Sequence, residues 1–369
     1  MRYRRIVAKF GTSLLTAGSD RLDLESMSRL VGQVARLRAR GCELVVVSSG
    51  AIAAGRHRLA HRKISGKQPS RQAYASVGQS HLMQSWDELF DWHDIVIAQV
   101  LLTRRDLADR QGYLNARTTL RDLLAVGAVP IVNENDAVAL DQVLASRIGE
   151  NDSLAASVAN LIDADLLVIL SNVDGLYDAD PHEEPSAKLI RRVERIDDTI
   201  ERVAGAARGP GTGGMMTKLR AAAMATQGGA DVIIASGYKP DILVDVAEGR
   251  EAGTFFPAAA NRLESRKRWI LANVTPGAWI TVDDGATRAL RERGRSLLAA
   301  GVHAIRGTFD RGEVVEVRDR HGQRVAAGIT NYDSTDLARI RGLHSDRIVE
   351  TLGYAYGEEA IHRDNMVVL

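Results

Sequence analysis

Short runs of apolar, β-branched residues recur along the first two-thirds of the chain: 44–47 (Leu-Val-Val-Val), 129–132, 166–170 (Leu-Leu-Val-Ile-Leu) and 232–235, with 95–102 of similar character. A strand that is apolar at every position must be covered on both faces, the condition met by a parallel sheet packed between helices. The intervening segments have helical periodicity. Met27, Leu30, Val31, Val34 and Leu37 share one face of a predicted helix, and 116–126 and 217–227 read the same way. With residues 5–10 as a first strand ending at Gly11, the pattern predicts an α/β sandwich whose site lies beyond the carboxyl ends of the strands.

The texture changes after Pro257. Arg262, Glu264, Arg266, Lys267 and Arg268 form a charged stretch, Pro276-Gly277 reads as a turn, and strands from 280 onward are short and set among glycines. We expect a first domain over 1–257, a linker over 258–275 and a small barrel or sandwich over 276–369. The length of 369 residues suits two domains. Forty-eight Lys and Arg against 47 Asp and Glu leave a formal charge of +1, so no overall excess points to nucleic acid, membrane or acidic partners. The single cysteine, Cys42, has no internal partner for a disulfide and suits a reducing compartment, so a cytoplasmic location is expected. The run over 95–102, broken by Gln99, falls far short of the roughly 18 residues of a membrane span. Trp86 and Trp92, among Leu82, Leu89 and Phe90, are expected in the core, His57 and His61 on a solvent face, and Cys42 as an inert thiol.

The residues that follow the apolar runs are polar and of consistent kind. The first strand delivers Lys9-Phe10-Gly11-Thr12-Ser13, a cation ahead of small residues whose amides can approach an anion. The second delivers Ser48-Ser49-Gly50-Ala51, small residues opening a helix, where free amides and the helix dipole favour negative charge. Asn133-Glu134-Asn135-Asp136 follows the fourth. Gly149-Glu150-Asn151-Asp152-Ser153 precedes another helix, whose N-cap either Asn151 or Asp152 could supply. In Gly209-Pro210-Gly211-Thr212-Gly213-Gly214-Met215-Met216-Thr217-Lys218, clustered glycines lead to a lysine on an Ala-rich helix, the composition of a polyanion cradle. It is neither of two familiar phosphate motifs. G-x-G-x-x-G lacks its preceding strand, and in G-x-x-x-x-G-K-[ST] Thr217 stands where the second glycine belongs.

Together these segments resemble the glutamate 5-kinase family of amino-acid kinases, which carry a C-terminal PUA domain. Further carriers of the resemblance are Val77-Gly78-Gln79-Ser80, Leu101-Leu102-Thr103-Arg104, Arg266-Lys267-Arg268-Trp269-Ile270, and the tail Leu352-Gly353-Tyr354-Ala355-Tyr356-Gly357 with His362-Arg363-Asp364. The resemblance implies a three-layer sandwich with a mainly parallel sheet, followed by a β-barrel-like PUA domain. It implies ATP-dependent phosphorylation of the γ-carboxylate of L-glutamate, with Mg²⁺ accompanying ATP, as the first step towards proline. By similarity, Lys9, Lys218 and Asp152 are the catalytic residues, and Ser49, Asp136 and Asn151 hold the substrate. Lys9, Ser171, Asn172, Thr212, Gly213, Gly214, Met215, Met216, Thr217 and Lys218 contact ATP. Relatives commonly have Thr-Asp where this chain has Ser171-Asn172, a change that removes a charge beside the nucleotide. The family also implies feedback inhibition by proline and dimers or tetramers. Two other readings compete: another acyl or phosphate kinase of the same family, and an RNA-binding protein acting through the PUA domain and Arg288, Arg291, Arg293 and Arg295. Acidic neighbours such as Asp283, Asp284 and Glu292 dilute that arginine field.

Overall fold

In a computed structural model, the residues described are 1–62, 68–139, 150–181, 183–206, 214–259, 267 and 270–369. The chain divides into two compact units, one made of 1–108 and 115–261, the other of 109–114 and 262–369. In the first, β1 (Arg5–Phe10) leads through α1 (Thr12–Leu15) to α2 (Leu24–Ala39). Strand β2 (Glu43–Ser48) precedes α3 (Ala51–Leu59) and α4 (Arg71–Asp91), and β3 (Ile97–Leu102) precedes α5 (Arg104–Ala108) and α6 (Arg110–Ala125). Next come β4 (Val129–Glu134) and α7 (Glu150–Leu161), then β5 (Leu166–Ser171), α8 (Asp198–Ala206) and α9 (Met215–Gln227). Strand β6 (Asp231–Ser236) and α10 (Ile242–Ala247) lead to β7 (Thr254–Phe256).

The sheet order is β3-β4-β2-β1-β5-β6-β7, parallel except for β7, which runs antiparallel to β6. The alternation along each strand sorts two helical layers. Ile6, Ala8 and Phe10 of β1, with Leu44, Val46, Ile131, Val168 and Leu170, pack in one core with Met27, Leu30, Val34 and Leu37 of α2 and with Leu82, Trp86 and Phe90 of α4. Val7 and Lys9 point the other way, toward α7 and α9, where Ala155, Ala159, Ala221, Ala222 and Ala225 are buried. Small residues there let both helices lie close to the sheet. From β1 the sheet continues through β2, β4 and β3 on one side and through β5, β6 and β7 on the other. The reversal at β1 opens a crevice at the carboxyl ends of the strands.

Three expectations need correction. Trp86 is fully buried, and its Nε1 donates to Ser48 Oγ at 3.0 Å, but Trp92 is 73% exposed at the end of α4. The 95–102 run is not covered on both faces, because β3 is the edge strand and most of it is only half-buried. Pro276-Gly277 does not end a strand. It lies inside β8 (Val274–Val282), where Gly277 takes φ +74° at a bulge in the pairing with the strand Val314–Arg318. Cys42 is buried, donates to the Tyr3 carbonyl at 3.4 Å, and has its thiol pushed up by burial.

The second unit contains a five-stranded, mostly antiparallel sheet and a separate two-stranded pair, Leu297–Leu298 with Glu359–Ile361. Ile280, Val315, Val317, Val325, Tyr332 and Leu337 lie in its core. Among the described residues no helix is long and apolar enough to cross a membrane.

Candidate active site

Strand register assembles the site. Lys9, the penultimate residue of β1, lies between Val47 of β2 and Ile169 of β5, so the carboxyl ends of three strands are level around it. Facing the α7 and α9 layer, it is only 7% exposed. A buried ammonium needs a counter-charge, which α7 supplies. Lys9 Nζ is 2.7 Å from Asp152 Oδ1, and Lys218 Nζ, from the first turns of α9, is 3.6 Å from Asp152 Oδ2. Thr217 Oγ1 donates to the same Oδ2 at 2.8 Å. Burial alone would raise the Asp152 carboxyl, but the charges of Lys9 and Lys218 and the hydrogen bonds outweigh it, and the group sits below the usual carboxylate range. Burial, joined by repulsion from Lys9, pulls Lys218 below the ordinary lysine value against the pull of Asp152. Two ammonium groups thus share one carboxylate, and around the whole cavity four cations, Lys9, Arg56, Arg71 and Lys218, face three carboxylates, Glu134, Asp136 and Asp152, an excess that favours an anionic occupant.

The opposite wall is backbone. Gly50, at φ +100°, turns the chain from β2 into α3, and no side chain caps that helix, so its first amides are left to the cavity formed by Ser49, Gly50, Ala51, Ile52 and Ala53. Helix α3 is pinned from behind by α4. A Cβ on Gly78 would lie 1.7 Å from the Ala51 carbonyl oxygen, and one on Gly55 would lie 1.8 Å from that of Tyr74. The two backbones touch there, which is possible only without side chains.

The third wall follows β4. Asn133 and Glu134 are the last strand residues rather than a loop, and Asp136 follows. Burial and the nearby charge of Glu134 push the Asp136 carboxyl up to about 6, with Arg71 opposing. Asn151 Nδ2 donates to Ser49 Oγ at 2.9 Å, tying the start of α7 to the end of β2. Both Asn151 and Asp152 lie inside α7 rather than at its cap, and their side chains meet Ser49 and Lys9.

These walls enclose a cavity of about 280 Å³. Lys9, Ser49, Asp136, Asn151, Asp152, Ser171, Asn172 and Lys218 all line it, from segments far apart in sequence. Gly214 is the N-cap of α9, and Met215, Met216 and Thr217 form its first turn. Thr212 and Gly213 lie outside the described residues. Sequence reasoning gave no role to Arg56, Arg71 and Glu134, which also line the cavity, or to Gln79, which stands behind it. Gln79 belongs to the Val77 to Ser80 motif, but nothing in that motif reveals its contact with Asn133. His57 and His61 meet edge-on at 6.5 Å between ring centres, and among the described residues no group of three His, Cys, Asp or Glu side chains could hold a metal ion.

Comparison with known proteins agrees with this architecture. Residues 4–236 match the amino acid kinase family and residues 278–352 match the PUA domain. The chain is 50% identical over 368 residues to Glutamate 5-kinase of Dehalococcoides mccartyi (strain CBDB1), spanning all of this chain and 99% of that one. It is 49% identical over 366 residues to the Glutamate 5-kinase of Herpetosiphon aurantiacus, covering 99% of this chain and 98% of that one. With that of Shewanella oneidensis it shares 48% over 368 residues, covering 100% and 98%. By its matched core and these full-length likenesses, the chain belongs to the amino acid kinase family, with a PUA domain after the kinase part.

Proposed function

We propose that this chain transfers the γ-phosphoryl group of ATP to the side-chain carboxylate of L-glutamate, giving L-glutamyl 5-phosphate, the first step towards proline. The activity is the one named by its full-length relatives. The observation that supports it most directly is the buried Lys9–Asp152–Lys218 triad at the strand ends. A carboxylate with an ordinary pKa of about 4.3 is already ionised at neutral pH, so the nucleophile needs no general base. What it needs is relief of repulsion from an anionic phosphoryl group and stabilisation of charge on the transferred oxygens. Two lysines with a net positive field meet that need.

In this reading Lys9 faces the attacked phosphoryl and Lys218 its far side, while Asp152 holds both ammonium groups in place. Ser49 and the first amides of α3 receive a carboxylate end of glutamate, and Asp136 with Asn151 takes the α-ammonium. Ser171, Asn172 and the segment Thr212, Gly213, Gly214, Met215, Met216, Thr217 and Lys218 take the nucleotide. Asn172 offers it no charge. Mg²⁺ belongs to this reading as a companion of ATP. The described residues provide no cluster of three ligands for it, so every role above is assigned to the chain's own groups. The kinase domain is taken as 1–257, the linker as 258–275 and the PUA domain as 276–369. Proline shares the α-carboxylate and ammonium arrangement of glutamate, so we take it as an inhibitor that overlaps the substrate pocket. A cytoplasmic homo-oligomer, a dimer or tetramer, completes the proposal.

The test is ADP release dependent on L-glutamate, with hydroxylamine trapping the acyl phosphate as a hydroxamate, with and without proline. Aspartate, N-acetylglutamate and a nucleoside monophosphate serve as rival acceptors. Hydroxamate from glutamate alone is expected, and ADP release that instead follows a rival acceptor refutes the assignment.

A further inference from the structure

Gln79 has no role in the reaction above and does not line the cavity, yet it ends a relay of amides leading into it. Gln79 Oε1 accepts from Asn133 Nδ2 at 2.8 Å. Asn133 Oδ1 accepts from Glu134 N at 2.9 Å and from Asn151 Nδ2 at 3.2 Å. Asn151 Nδ2 lies also 2.9 Å from Ser49 Oγ and 3.2 Å from the Ser48 carbonyl oxygen. The donors of Asn151 are thus engaged by the protein, whereas its Oδ1, like Gln79 Nε2 at the other end of the relay, is buried with no partner. A primary amide presents hydrogens on one side and lone pairs on the other, so such a relay has a direction. Turning one amide obliges its neighbour to turn.

We infer that Gln79 is a positioning residue: by accepting from Asn133 it holds the relay in the one polarity that leaves the Asn151 carbonyl oxygen for the α-ammonium of the substrate. Asn133 is only 2% exposed. Without an acceptor at Gln79 its Nδ2 becomes a second buried donor in this relay with nothing to bind, at the full desolvation cost of that group. The relief available is rotation of the Asn133 amide, which gives up the bond from Glu134 N and brings Nδ2 against Asn151 Nδ2. Asn151 must then turn and present hydrogens where an ammonium has to sit. The unsatisfied Asn151 oxygen has the converse meaning: a cationic donor arriving there completes the network. This inference rests on L-glutamate as the acceptor and on Asn151 as part of its ammonium pocket.

The experiment compares wild type, Gln79→Met and Gln79→Glu in the full-length protein, with L-glutamate and ATP as varied substrates. Glutarate, which has both carboxylates but no ammonium, serves as a competitive probe. Gln79→Met should raise KM for L-glutamate at least tenfold, leaving KM for ATP and Ki for glutarate within twofold. Gln79→Glu, which still offers an acceptor to Asn133, should restore KM for glutamate to within threefold of wild type. A KM for glutamate unchanged in Gln79→Met, a parallel weakening of glutarate, or failure of Gln79→Glu to rescue overturns the inference. Should Gln79→Met not fold, Asn133→Ser cuts the same relay one step further in and must give the same split, and an unchanged KM there overturns the inference equally. A wild type inert toward L-glutamate instead refutes the functional reading on which this rests.

Discussion

Replacing Asp152 by Asn keeps the shape of the side chain and removes the charge that two buried lysines share. At an effective dielectric of about 20, contacts of 2.7 Å to Lys9 and 3.6 Å to Lys218 correspond to about 6 and about 5 kcal/mol of gross attraction. Removing each ion from water costs several kcal/mol, so most of that attraction only offsets burial. What the substitution exposes is the remaining deficit, two ammonium groups in one dry pocket, and breaking a buried pair from one side typically costs about 3–5 kcal/mol. For a domain of this size that lowers the melting temperature on the order of 10 °C. Turnover should fall about 100-fold to 1000-fold, the loss of about 2.7–4 kcal/mol seen when a preorganised contact to transition-state charge disappears. The variant also has a pH signature. Lys218 already sits below its ordinary value, and without Asp152 it falls further, so it gives up its proton at a lower pH than in the wild type. Activity of Asp152→Asn relative to wild type should therefore rise as pH is lowered, before the carboxylates of about pKa 4 begin to titrate. Calorimetric melting and hydroxamate-coupled kinetics read both effects. A variant that melts within 2 °C of wild type and turns over within tenfold of it would refute the electrostatic account of the triad.

Lys9→Ala and Lys218→Ala should each lower kcat at least 100-fold in a protein that still shows a cooperative melt, and near-normal turnover in either counts against its role. Asp136 gives a pH limb. Its carboxyl stands at about 6 against an ordinary 3.8, so the folded protein without substrate takes up a proton that the unfolded chain has already released. That uptake favours folding below about pH 4 and is lost as pH rises through 6. Binding an ammonium needs the ionised form, so kcat/KM for glutamate should fall towards tenfold per unit below pH 6, a limb absent in Asp136→Asn; a flat profile down to pH 5 would be inconsistent with it. Gly78→Ala would set a Cβ 1.7 Å from the Ala51 carbonyl oxygen. Separating α3 from α4 should cost about 1–3 kcal/mol or more and raise KM for glutamate, so an unchanged melting curve would show that the helices do not pack backbone to backbone. Asn172→Asp adds a negative charge to the cavity lining and should alter KM for ATP relative to GTP without changing KM for glutamate, a split that initial-rate kinetics would reveal.

Much of this protein was legible before folding was considered. Strands buried on both faces are apolar at every position, so the runs at 44–47 and 166–170 announced a covered parallel sheet, and the residues behind them had to be at its ligand-binding end. Lys9 and Lys218 are legible as a cation at the end of a strand and a lysine behind clustered glycines, whereas Asp152 reads locally only as a possible helix cap and takes its role from the resemblance to the family. Local signals failed where environment decides. Trp92 resembles Trp86 in sequence, and only the end of α4 leaves it in water. The run over 95–102 is apolar, but its place at the sheet edge follows from strand order, which no local pattern encodes. Pro276-Gly277 has turn chemistry, yet a bulge uses the same positive φ without ending the strand.

By itself, then, the sequence determined the element types, the layer architecture and the chemical character of the strand ends, because these depend on periodicity and side-chain class over a few residues. Tertiary structure alone decided that one carboxylate on α7 serves lysines from β1 and α9, that Gln79 reaches Asn133 from another helix, and that the Asn151 oxygen is left without a partner. Those are distances between segments 50 to 200 residues apart, set by strand order and helix packing, and a chain read in one dimension does not contain them.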